Sequence, residues 1–139
     1  FRVNGIRYVL VGGTSGSVVC RPDLAHRVEI YVASSSSPPD DGEFVYEIEV
    51  PGSGGLSDRT INQHIYPEID LLSGQSLFVA IQLMGEYPEV GCLSLCYDDP
   101  VSTGSNFWSH ATAAPFAWET IDEDGVDADI LIEADGTYY

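Results

Sequence analysis

The chain has 139 residues, 44% of them hydrophobic and spread along its length, which excludes a disordered polymer and supplies enough apolar mass for one buried core. No apolar run approaches the length of a membrane span, so membrane insertion is not expected. Twenty-two acidic residues stand against five basic ones, all arginine, for a formal net charge of −17. Such a surface repels a phosphate backbone or an anionic lipid. Nucleic acid therefore leaves the set of expected partners, and calcium, basic partners or uncharged ones remain.

In chain order, "IRYVLVGG" reads as a strand stopped by a glycine pair, and "GGTSGS" reads as a turn. "HRVEIYVA" alternates Val28, Ile30 and Val32 against His26, Glu29 and Tyr31, the period of a half-buried strand. "SSSSPPDDGE" is a loop, and "FVYEIEVPG" is the next strand, ending at Pro51. In "TINQHIYPEIDLLSG" a strand is expected up to Pro67, followed by a second short extended piece. "SLFVAIQLMG" is apolar on both faces, which predicts a central strand with "GCLSLCYDD" as its neighbour. "SNFWSH", "FAWETI" and "DADILIEA" complete a series of short strands at roughly ten-residue spacing, the pattern of a sandwich or jelly roll. The expected fold class is all-β, a jelly-roll-like β-sandwich of two mainly antiparallel sheets with very little helix. Residues 1–139 read as a single domain, whole or as a fragment or processed part of a longer secreted protein.

The cysteines are Cys20, Cys92 and Cys96. The last two lie four apart in a strand-like run, on one sheet face and too far apart to pair with each other. One disulfide is expected, from Cys20 to Cys92 or Cys96, with three reduced core thiols as the alternative. The histidines at 26, 64 and 110 are isolated in sequence, and neither a C-x-x-C pair nor a His pair occurs, so zinc is not expected.

"FWSHATAAPFAW" holds both tryptophans, Trp108 and Trp118. Core packing is the plainer expectation for these rings, with Trp108 the more exposed of the two. A sugar-stacking platform would need two coplanar exposed aromatics, such as Trp108 with Tyr87 or Tyr97, beside hydrogen-bonding groups such as Asn106 and Asp98. "IDEDGVDAD" gathers carboxylates around Gly125. Asp122, Asp124 and Asp127 are the candidate calcium ligands, with Asp98 and Asp99 as possible additions from a neighbouring loop. Their spacing fits no EF-hand loop, so a solvated turn and no cofactor are expected. No G-x-S-x-G elbow exists and no residue set supports nucleophilic catalysis.

The order "HRVEIYVASSSSPP", "LLSGQSLFVAIQL" and "NFWSHATAAPFAWETIDEDGVDADILIEA" resembles the jelly-roll-like β-sandwich accessory and surface domains of secreted bacterial proteins, including lectin-like domains attached to extracellular peptidases. The resemblance covers most of the chain and implies an extracellular or cell-surface, non-catalytic module; it carries over no catalytic residue. The expected function is structural assembly or surface adhesion, with self-association or a parent polypeptide as the protein partner. The alternative is a carbohydrate-binding module that presents its aromatics to an extracellular glycan. A hydrolase is the outlying third reading.

Overall fold

The computed structural model describes residues 1–15, 18–34, 42–83, 95, 97–98, 106–109, 116–121 and 129–139. The first strand, β1 (Arg2–Leu10), shows how its sequence reaches the core. A bulge between Val3 and Gly5 resets the alternation, so that Val3, Ile6, Tyr8 and Leu10 are all buried. A short hairpin comes next, β2 (Gly13–Ser15) and β3 (Val18–Cys20). The long elements are β4 (His26–Ala33), β5 (Glu43–Val50), β6 (Arg59–Asp70) and β7 (Ser76–Leu83). Shorter pieces close the series: β8 (Tyr97–Asp98), β9 (Phe107–Trp108), β10 (Glu119–Thr120), β11 (Asp129–Ile130) and β12 (Ile132–Thr137). No α-helix occurs among the described residues, and the all-β class stands.

Two antiparallel three-stranded sheets, ordered β12-β1-β6 and β5-β4-β7, carry the fold. Their inner faces share one apolar core. Ile6, Tyr8 and Leu10 of β1 and Ile61, Ile65 and Ile69 of β6 meet Val28, Ile30 and Val32 of β4 and Val50 of β5. The arrangement is sandwich-like because each sheet has one apolar face and each buries it against the other. The Tyr46 hydroxyl donates to the His64 carbonyl at 3.4 Å, so β5 lies beside β6 on one side of the molecule. On the opposite side Leu77 and Val79 of β7 and Ile132 of β12 pack onto the core.

Three features of the strands differ from the sequence expectation. β6 runs continuously to Asp70 and does not stop at Pro67. Its pairing with β1 skips from His64 to Ile69, and the cis peptide Tyr66–Pro67 lies within that irregular stretch. Proline lacks the N–H that a ladder uses, and an irregular stretch of an edge strand tolerates the loss. Among the described residues β7 pairs with β4 alone, where the sequence pattern predicts a partner on each side. The described part of "GCLSLCYDD" does not neighbour it either, since Leu95 bridges Leu10 and β8 pairs with β11.

Candidate functional site

Every residue of β7 is half-buried, and alternation explains why. Leu77, Val79 and Ile81 reach the shared core. On the other face Phe78 meets Phe107 edge-on, with ring centroids 6.1 Å apart and an interplanar angle of 66°. Phe107 is brought there by the two-residue ladder β9–β10, in which Thr120 pairs with Phe107 and Glu119 with Trp108. Asn106 anchors the ladder. Its carbonyl accepts from the Ile121 N–H at 3.2 Å, and its Oδ1 accepts from the Ile130 N–H, also at 3.2 Å.

Between the β7 and β12 edges these elements enclose a cleft of about 330 Å³. Phe78, Phe107 and Trp118 supply its aromatic surface, and Leu77, Val79, Ala80, Ile130, Ile132 and Ala134 its aliphatic surface. Asn106 is the one polar side chain among these lining residues, and none of them titrates. The cleft therefore rewards desolvation of an apolar group, while polar atoms still make up part of its surface.

Of the residues singled out from the sequence, Asn106 lines this cleft. Trp108 is half-buried on β9 and is not part of the lining, whereas Trp118 is, with its ring 5.6 Å from that of Phe116. Tyr97 stands in β8 opposite Ile130, a lining residue. The Tyr97 and Asp98 side chains lie outside the described residues, as do Tyr87, Asp99, Asp122, Asp124, Asp127, Cys92 and Cys96. Cys20 ends β3 opposite Gly13 and is half-buried. Sequence reasoning missed Phe78, Ile130 and Ile132, although the two-faced apolar pattern of "SLFVAIQL" is a signal for the first of them.

A second polar arrangement lies inside the core. The Tyr8 hydroxyl donates to His26 Nε2 at 2.5 Å, and His26 Nδ1 faces the Leu24 carbonyl at 3.3 Å. Both ring nitrogens are satisfied by a neutral imidazole carrying its proton on Nδ1. Burial lowers the His26 pKa, with Arg59 adding to the effect and the Leu24 hydrogen bond opposing it. Burial likewise raises the Tyr8 pKa well above the ordinary phenol value. His26 Nδ1 meets a backbone carbonyl where a catalytic histidine would meet a carboxylate, so the pair bridges β1 and β4 and does not build a nucleophile.

Comparison with known proteins finds no family model, no curated protein and no solved structure that matches this chain.

Proposed function

We propose that this chain is a non-catalytic, extracellular β-sandwich module of jelly-roll-like type that serves structural assembly or surface adhesion. In this reading it takes an apolar segment of a second copy or of a parent polypeptide into the cleft between β7 and β12. The observation that carries the reading is the lining: three aromatic rings and six aliphatic side chains to one polar side chain, Asn106. Polypeptide interfaces desolvate apolar and aromatic groups in this way, and aromatic anchors supply most of their binding energy. The disulfide expected from Cys20 to Cys92 or Cys96 fits an oxidising, extracellular location. The acid excess and absence of lysine fit a soluble module without nucleic-acid partners.

Sedimentation equilibrium over a range of concentrations in screening salt tests this. The wild-type chain is expected to form ordered oligomers, and Trp118→Ala is expected to remain monomeric while keeping its strand spectrum and cooperative melting. A carbohydrate-binding role is the second reading, favoured by one observation: Trp118 shares the cleft with the Asn106 amide, a ring face beside a hydrogen-bonding group. A wild-type chain that stays strictly monomeric and binds on a glycan array would replace assembly by that reading.

A further inference from the structure

The opposite side of the sandwich carries a surface of different chemistry, independent of the cleft. We propose that the outer edge of β5 accepts an extended basic segment of another protein, one in which lysine or arginine alternates with apolar residues, as an added strand.

The backbone provides the template. Among the described residues β5 pairs only with β4, and a strand paired on one side presents a row of backbone donors and acceptors on the other. The side chains provide the selection. Glu43, Glu47 and Glu49 are exposed along β5, interleaved with exposed Phe44 (51%) and Val45 (37%). Phe44 packs edge-on against Tyr31 of β4, ring centroids 5.7 Å apart, making an apolar step beside the acids.

Nearby charge is not balanced within the sheet. Arg27 is shared among three carboxylates, Glu49 at 3.2 Å, Glu47 at 3.5 Å and Glu29 at 4.0 Å. Glu29 also accepts from the Tyr31 hydroxyl at 2.6 Å and is buried directly opposite Glu47. Arg2, Arg7 and Arg21 are ion-paired on other elements, to Asp70, Glu133 and Asp23, and Arg59 donates to the Pro22 carbonyl.

A second copy is the wrong occupant. Two β5 strands in register would set glutamates against glutamates, which destabilises a sheet. The acids that keep β5 from pairing with itself are the same groups that select a cationic strand. Main-chain hydrogen bonds then supply affinity, and the alternating side chains supply specificity.

The probe is an eight-residue peptide, the length of β5, alternating lysine with valine and threonine. Fluorescence anisotropy at low salt should show saturable binding to the full chain, weakening as salt rises. Hydrogen exchange should slow at residues 43–50. Glu47→Gln with Glu49→Gln should weaken binding by about fivefold to tenfold while the protein still melts cooperatively. The Trp118→Ala chain should bind as wild type does, which separates this surface from the cleft. The proposal is overturned if the peptide does not bind, or if a proline-interrupted peptide of equal charge binds equally well. It is also overturned if protection falls outside β5, if the folded double variant keeps wild-type affinity, or if Trp118→Ala abolishes binding.

Discussion

A single hydroxyl lets a histidine sit fully inside the core: Tyr8 donates to His26 Nε2, and without that donor the nitrogen is a buried acceptor. Tyr8→Phe is therefore expected to cost about 1–3 kcal/mol in urea denaturation, with the strand spectrum retained. The same pair sets a pH dependence. The folded His26 titrates below its ordinary value of 6.5, because burial and Arg59 disfavour the cation more than the Leu24 hydrogen bond favours it. In the unfolded chain it takes up its proton first. The stability from holding it neutral is complete above about pH 6.5 and is lost as pH falls below that value. Stability measured from pH 7 down to pH 5 should fall less steeply in His26→Gln than in wild type.

At the scale of elements, the loop after β5 is held by backbone approaching backbone. A Cβ at Gly12 would stand 1.7 Å from the Leu56 carbonyl oxygen and 3.2 Å from Pro22, and the Gly12 N–H donates to Asp58 at 2.8 Å. Gly12→Ala is expected to destabilise by about 1–3 kcal/mol or more in urea denaturation. Gly54→Ala, with nothing within 4 Å of its Cβ position, should stay within about 0.5 kcal/mol of wild type. Strand existence was legible where side-chain alternation is strict, and "HRVEIYVA" coincides with β4 end to end. Strand neighbours were not legible. Alternation reports which faces are covered and is silent about what covers them, so the apolar outer face of β7 looked like the mark of a central strand, although Phe78 there meets Phe107 of a separate ladder. Pro67 misled for a related reason: a proline forbids a ladder bond only where a partner needs one, and β6 has a partner on one side alone among the described residues. At the cleft, which tryptophan contributes to the lining depends on the β9–β10 register, which composition does not encode.

Across the whole molecule, charge outweighs every local pair. Arg2, Arg7, Arg21 and Arg27 each meet an acid, yet 22 acidic residues against five arginines leave a net charge of −17. Added sodium chloride should raise the melting temperature by screening that repulsion. Calcium and magnesium at equal ionic strength should raise it equally; a calcium-specific increase of several degrees would establish a bound ion, for which Asp122, Asp124 and Asp127 are the candidate ligands. The pairing of the first strand with the last has a mechanical meaning. Arg2 lies opposite Thr137, and the rings of Phe1 and Tyr138 are 4.9 Å apart, so residues 1 and 139 leave the sandwich from the same end of an antiparallel pair. Tension applied through those two points does not shear the strands along their length. It loads the β1–β12 hydrogen bonds one after another and peels them like a zipper, the geometry of least resistance. A pull along the chain therefore opens the sandwich from its ends inward.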